Sequence, residues 1–485
     1  MNTLTALDRP VLNPDDWRIS IMQNLILNTD SYKTSHFVQY PQGAEFVSSY
    51  IESRGGVHAS TVFFGLQMFI KQYLTKPITL ADIDEAEMIC AAHGVPFNRE
   101  GWMHILTVHN GYLPLEIEAV PEGTEVPTGN VLVQVINTDP MCAWLTSYIE
   151  TALLRAVWYP TTVATVSKAC QNIIARYLDE TGDNLNGLPF KLHDFGARGA
   201  SSEETTAIGG LAHLVSFMGT DNFSALVAAR RYYGADMAGF SIPAAEHSTI
   251  TSWGREGEIA AYANMLKQFG GKNKLVAVVS DSYDIWNAID NLWGGELKAQ
   301  VEAMGGTLVV RPDSGEPVEV VPEAVERLMA KFGYTTNTKG YKVLPACVRL
   351  IQGDGVCAAS IEAILAEMKK RGLSADNVAF GMGGELLQKV NRDTQKFAMK
   401  ASAICINGEW RDVYKDPITD QGKRSKKGRL ALTKVNGQFQ TVARNSINPA
   451  ANELVTVFRN GKLITEYTLD QVRNQALGQT QSNAA

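Results

Sequence analysis

The sequence predicts an α/β protein that combines a parallel sheet, open or closed into a barrel, with antiparallel β regions toward both ends of the chain. Three observations carry this. The middle of the chain repeats a short apolar run, a polar glycine-rich loop and a helical segment, the pattern of parallel strands joined by helices. Leu113–Asp139 alternates apolar and polar residues. Two Asn-Gly dipeptides, at 436–437 and 460–461, each sit between alternating apolar runs.

In Leu113–Asp139, Leu115, Ile117 and Ala119 share one face. A Pro-Glu-Gly turn follows, and then Val131, Val133 and Val135. Alternation bounded by turn residues marks half-buried strands. The middle then runs Leu275–Val279 into S-D-S-Y-D, Thr307–Val310 into R-P-D-S-G, Val348–Ile351 into Q-G-D-G, and Val378–Phe380 into G-M-G-G. Ser360–Lys370 has helical spacing. Asn-Gly tolerates the positive φ values of a type I′ turn, so Asn436-Gly437 and Asn460-Gly461 each predict a hairpin.

Bulk properties narrow the function classes. The chain has 485 residues, 45% of them hydrophobic and 20% charged, which fits a folded protein with a sizeable core. A net charge of −7 argues against general nucleic-acid binding and leaves room for local basic pockets. No apolar run approaches the ~18 residues of a membrane span, and the first residues lack the pattern of a secretory signal. Six scattered cysteines without a C-x-x-C pair suit a reducing, cytoplasmic setting, and a structural zinc is not expected from them. Residues 1–20 are polar and proline-punctuated, as in a loose tail, and Ala476–Ala485 are similar.

The loops after the central strands carry the chemistry, because catalytic groups of parallel α/β folds lie at the C-terminal strand ends. Asp281 and Asp313 could hold Mg²⁺, which prefers carboxylate and phosphate oxygens. Asp354 could accept from ribose hydroxyls, and Arg311 could clamp a phosphate with its planar fork. Gly353, Gly383 and Gly384 let backbone N–H groups approach phosphate oxygens. Asp and Gly also make plain turns, but three such loops in register and a glycine-rich fourth read as a sugar-phosphate site.

Other segments add candidates. K-L-H-D-F-G-A-R-G-A-S-S (Lys191–Ser202) sets Phe195 beside Arg198, a ring to stack on and a cation. Gly219-Thr220-Asp221 follows an apolar run. Ser241–Thr249 reads S-I-P-A-A-E-H-S-T and holds His247 between Glu246 and Ser248 in a loop before a helix. K-R-S-K-K-G-R (Lys423–Arg429) is a solvated basic face or a phosphate-binding loop.

Taken in order, D-S-Y-K (Asp30–Lys33), H-D-F-G-A-R-G, G-T-D, P-A-A-E-H-S-T, S-D-S-Y-D, R-P-D-S-G, Q-G-D-G and K-R-S-K-K-G-R resemble the nicotinamide phosphoribosyltransferases, type II enzymes of the nicotinate phosphoribosyltransferase family. The likeness runs from about Leu25 to Asp470. It implies an irregular α/β barrel over residues 156–399 and a β-rich second domain from 21–155 and 400–475. It also implies a homodimer with active sites at the interface. Under it, Phe195 stacks on one face of the pyridine, Tyr32 of the other subunit on the other, and Asp221 accepts from the carboxamide. Arg198, Ser241 and Ala244 belong to the substrate pocket. Arg311, with Arg54, Arg392 and Lys415, is the phosphate clamp, and Lys423 neutralises phosphate. Asp313 and Asp354 serve ribose and Mg²⁺, assisted by Asp281, and Gly353 and Gly384 line the pocket. His247 is similar to the histidine that ATP phosphorylates. Met382 and Glu385 stand in the glycine-rich loop where smaller residues are expected, and Ala197 and Ala398 replace side chains used by some members.

The activity so implied is transfer of a 5-phosphoribosyl group from phosphoribosyl pyrophosphate to nicotinamide, with Mg²⁺ and ATP as cofactors. The nearest rival is the same transfer to nicotinate, against which Asp221 speaks. A rival of another class is a non-catalytic nucleotide-binding dimer, which loss of His247, Arg311 or Asp313 would have favoured.

Overall fold

The computed structural model describes residues 24–419 and 423–478; the tail expected at 1–20 and the last residues of the chain lie outside them. Among the described residues the two largest sheets have six and seven strands. The six-stranded sheet is parallel, in the spatial order Gly219–Thr220, Leu192–Asp194, Val378–Met382, Val348–Gln352, Thr307–Arg311 and Leu275–Val279. Its two edge strands are bridged by residues 240–245. Phe240 pairs with Gly219, and Ala244 with Ala277, both in parallel. Hydrogen bonds from Thr220 N to Phe240 O (3.0 Å) and from Ala245 N to Ala277 O (2.9 Å) tie this segment to either side. The curled sheet is thereby an irregular barrel.

Its strands are apolar on both faces, as expected where helices cover the outside. Val276, Val278, Leu308, Val310 and Leu350 face outward into the main core with helices Pro317–Phe332 and Ala358–Lys370. Ala277, Val309 and Ile351 face inward with Phe195, Ile242 and Ala379. Two alanines in the inward layer leave space where most small barrels are filled by bulky side chains.

The seven-stranded sheet is antiparallel where its pairings are resolved, and draws on both ends of the chain. Ala44–Ser53 lies centrally, between Val131–Asn137 and Phe397–Ile406. Leu115–Ala119 pairs with Val131–Asn137, the two runs whose alternation the sequence shows, with Ile117 opposite Val135. Both anticipated hairpins form. Val435 faces Gln438 and Arg459 faces Lys462, with Asn436, Gly437, Asn460 and Gly461 at φ of 51°, 79°, 49° and 83°. A third turn of the same kind, Asn407-Gly408, joins Phe397–Ile406 to Glu409–Asp412.

Helix Glu150–Thr181 links the two cores. Its first turns, through Val157, pack with the antiparallel sheet, and Val163 onward packs with the barrel. Pro160 sits inside it, against Gly65, where an added Cβ would fall 2.4 Å from the Pro160 ring. None of the described helices is long and apolar enough to cross a membrane.

Candidate active site

A cavity of about 720 Å³ runs through the barrel. At the C-terminal strand ends it is lined by Phe195, Arg198, Asp221, Ser241, Arg311 and Gly353. Ala244 lies on its wall, with Ala277, Val309 and Ile351 deeper in. Gly383 and Ala197 line it too, so nine of the residues named from the sequence meet around one space.

Each is placed by its strand. Phe195 follows Leu192–Asp194, and its N–H donates to Met382 O (3.0 Å). Its ring lies on Gly381, where a Cβ would fall 1.9 Å from ring carbon Cε2. The Arg311 guanidinium is 5.8 Å from the ring centroid. Asp221 N–H donates to Asp194 O (3.1 Å), and Ser241 Oγ donates to Asp221 Oδ1 (2.5 Å).

Behind them Asp194 is fully buried. It accepts from Gly196 N–H (2.7 Å) and Asn222 Nδ2 (2.9 Å), so it ties the Phe195 loop to the Asp221 loop. Burial raises its carboxyl above the usual carboxylate range. Sequence reading missed Asp194 and Asn222, which look like ordinary turn residues.

Beside the cavity mouth stands a chain of charged groups. Arg311, the last residue of its strand, donates from Nη2 (2.7 Å) and Nε (3.2 Å) to Asp313 Oδ1. Asp313 Oδ2 is 4.0 Å from His247 Nδ1. His247 begins helix His247–Thr251, and its Nε2 lies 3.0 Å from Asp281 Oδ1. Ser314 Oγ donates to Asp281 Oδ2 (2.5 Å). The imidazole is about half exposed while Asp281 is nearly buried. Gly353 faces Arg311, with an added Cβ 3.2 Å from Nε.

The remaining candidates lie elsewhere. Asp354 is exposed and Gly384 opens the short helix Gly384–Leu387; neither lines the cavity. Met382 is not a loop residue as expected: the strand runs on to it and buries it. Glu385 pairs with Lys389 across one helical turn. Tyr32, Arg54, Arg392, Lys415 and Lys423 are absent from the cavity lining. Tyr32 is 60% exposed, edge-on to His36. Arg54 pairs with Glu52 (2.9 Å), and its backbone N–H donates to Lys396 O, next to the Arg392–Thr394 turn. Lys415 N–H donates to Ser425 Oγ (2.9 Å).

Lys400 joins this second, basic group. Burial lowers its ammonium from the ordinary value; the charge of Glu150 opposes this, and those of Arg54, Lys415 and Lys33 add to it. Nothing in its local sequence pointed to it. The far end of the cavity also holds unforeseen polar groups. Lys191 Nζ donates to the carbonyls of Ala375, Asp376 and Val378, and burial lowers it to about 8. Burial also lowers His193.

An aromatic ring, a carboxylate on the same cavity and an arginine–aspartate–histidine chain thus stand together at the mouth of a parallel barrel. The chain belongs to the nicotinate phosphoribosyltransferase (NAPRTase) family, whose model matches residues 190–462, and residues 24–117 match the N-terminal domain of nicotinamide phosphoribosyltransferase. It is 55% identical to a nicotinamide phosphoribosyltransferase of Xanthomonas campestris pv. campestris, over 94% of this chain and 98% of that protein. It is 34% identical to one of Acinetobacter baylyi, over 93% and 97%. In fold it resembles nicotinate-nucleotide pyrophosphorylase from Pyrococcus furiosus (TM-score 0.60, 16% identity, 97% of each chain). It also resembles human nicotinic acid phosphoribosyltransferase (TM-score 0.53, 17% identity, 93% of each).

Proposed function

We propose that this enzyme transfers the 5-phosphoribosyl group of phosphoribosyl pyrophosphate to nicotinamide, forming nicotinamide mononucleotide and pyrophosphate in NAD salvage, and that it works as a homodimer. The observation that carries the choice of nicotinamide is Asp221. Ser241 occupies its Oδ1, and its other oxygen is left to accept a carboxamide N–H beside the Phe195 ring. The two relatives named for nicotinamide support the same choice.

The pyridine nitrogen attacks C1 of the ribose as the bond to pyrophosphate breaks. Phe195 holds the ring in line, a proximity contribution. Arg311 is positioned by Asp313 to meet the charge that grows on the leaving pyrophosphate. Mg²⁺ would neutralise that charge further. Asp313 Oδ2 is the oxygen best placed to hold it, since Asp281 uses both oxygens on His247 and Ser314. Tyr32, Arg54, Arg392, Lys400 and Lys415 would complete the site from the partner, which accounts for their standing away from the cavity. Lys423 and Asp354 are assigned to phosphate and ribose.

ATP enters through His247. Asp281 accepts from Nε2–H, which leaves a lone pair on Nδ1, on the Asp313 side. Nδ1 attacks the γ-phosphorus of ATP, the bond to ADP breaks, and water later releases phosphate. Incubation with γ-labelled ATP tests this. Acid-labile label on the wild type, lost in His247→Ala together with the stimulation by ATP, is the expected result. Stimulation that survives in His247→Ala contradicts it.

A further inference from the structure

Away from the barrel, the end of helix Arg99–Val108 meets the turn Pro140–Cys142. Four side chains converge there that the transfer reaction does not use. Nε2 of His104 lies 2.8 Å, and Nε2 of His109 2.6 Å, from the same oxygen, Oδ2 of Asp139. The two imidazole centroids are 5.6 Å apart. Cys142 is fully buried beneath them. Ligand atoms of His104, Asp139 and Cys142 all lie within 4.8 Å of one another.

The carboxylate is held in place from behind. Its Oδ1 accepts from Met141 N–H (2.8 Å), and the Asp139 backbone carbonyl accepts from Asn137 Nδ2 (2.8 Å). Oδ2 is therefore the oxygen turned to the histidines. Outer contacts of this kind orient carboxylate ligands in metal sites.

We infer that His104, His109, Asp139 and Cys142 form a binding site for a divalent transition metal of the zinc class. Two imidazole nitrogens, one carboxylate oxygen and one thiolate make a four-donor set suited to tetrahedral Zn²⁺ and unlike the all-oxygen sets of Mg²⁺ or Ca²⁺. Ligand bonds of ~2.0–2.3 Å put tetrahedral donors roughly 3.4 Å apart. The two His–Asp separations, 2.8 and 2.6 Å, are shorter than that, and His109 lies outside the set of donors within 4.8 Å of one another, so its ring must turn for all four donors to meet the ion. Both histidines and Asp139 are partly exposed and give it a way in, while Cys142 closes the floor.

The Cys142 S–H bond breaks, sulfur bonds the metal, and one proton leaves to solvent. Each imidazole shifts its proton from Nε2 to Nδ1 and offers the freed lone pair. With four protein ligands the site is closed, hence structural. It would clamp the helix end to the strand Val131–Asn137 within the antiparallel half. Expectation from cysteine pairs alone overlooks it, because a single thiolate takes part.

The test is titration of the chelator-stripped full chain with Co²⁺, read by absorption. One equivalent per chain should produce the strong visible bands of a tetrahedral site and a thiolate charge-transfer band, both removed by added Zn²⁺. Cys142→Ser should lose the charge-transfer band. His104→Gln/His109→Gln, at partly exposed positions that leave the core intact, should weaken Co²⁺ binding at least about tenfold. Absence of both bands in the wild type overturns the proposal and leaves a hydrogen-bonded His–Asp–His cluster. Bands that persist unchanged in the double histidine variant overturn it as well.

Discussion

Nε2 of His247 lies 3.0 Å from Oδ1 of Asp281, and the second oxygen of Asp281 is held by Ser314 Oγ. A nearly buried carboxylate thus fixes the tautomer and plane of a half-exposed imidazole. Asp281→Ala should lower ATP turnover by about 10²-fold, the scale of a general-base or orienting contribution. Asp281→Asn, whose amide oxygen can still accept from Nε2–H, should lose much less. ATPase rates in the presence of phosphoribosyl pyrophosphate check this; equal losses in the two variants would deny the orienting role.

Arg311 reaches Asp313 Oδ1 with Nη2 and Nε. A lysine keeps the charge but not the fork. Arg311→Lys should therefore lower kcat with phosphoribosyl pyrophosphate by at least about tenfold, one decade being ~1.4 kcal/mol. The fold should be retained. Steady-state kinetics with circular dichroism decides it.

Gly381 lies under the Phe195 ring so closely that a Cβ would fall 1.9 Å from it. Gly381→Ala must push the ring aside, an overpacking change of about 1–3 kcal/mol. The KM for nicotinamide should rise about tenfold while that for phosphoribosyl pyrophosphate stays near its wild-type value. An unchanged nicotinamide KM would show that Phe195 is not the platform.

His213 is fully buried between Ser167 and the Leu192 carbonyl, and burial lowers its imidazole to about 3, with His193 adding to the effect. Its folded value is below the unfolded value of ~6.5. The unfolded chain therefore takes the proton first. Stability from this group is complete above ~6.5 and is lost as pH falls toward 3. Between pH 7 and pH 5 the loss is about 2 kcal/mol. Thermal melting should show a smaller drop in Tm over that interval for His213→Gln than for the wild type; equal drops would contradict the assignment.

Much of the barrel was legible because its strands are short apolar runs ended by loops rich in Asp or Gly, and the structure brings Arg311, Asp313, Asp281 and Gly353 from those loops close together. Two hairpins were legible because Asn-Gly suits positive φ. The central strand Ala44–Ser53 was not. It buries Ser48, Ser49, Glu52 and Ser53, and groups far away in sequence hold two of them, Lys426 on Glu52 and the Gln395 carbonyl on Ser53. Helix Glu150–Thr181 was hidden by its β-branched residues and Pro160. Asp194, Asn222 and Lys400 act through partners far away in sequence, which no local pattern encodes. The pairing of Phe195 with Asp221 came from family likeness rather than from spacing.

The most direct test of the central claim is the ratio of kcat/KM for nicotinamide to that for nicotinate, measured with phosphoribosyl pyrophosphate in the wild type and in Asp221→Asn. Two like charges ~4 Å apart repel by about 4 kcal/mol at an effective dielectric of ~20. Even half of that gives more than a tenfold preference. A wild-type ratio well above ten that narrows in Asp221→Asn is the predicted result. A wild-type preference for nicotinate, or a ratio that Asp221→Asn leaves unchanged, would contradict it.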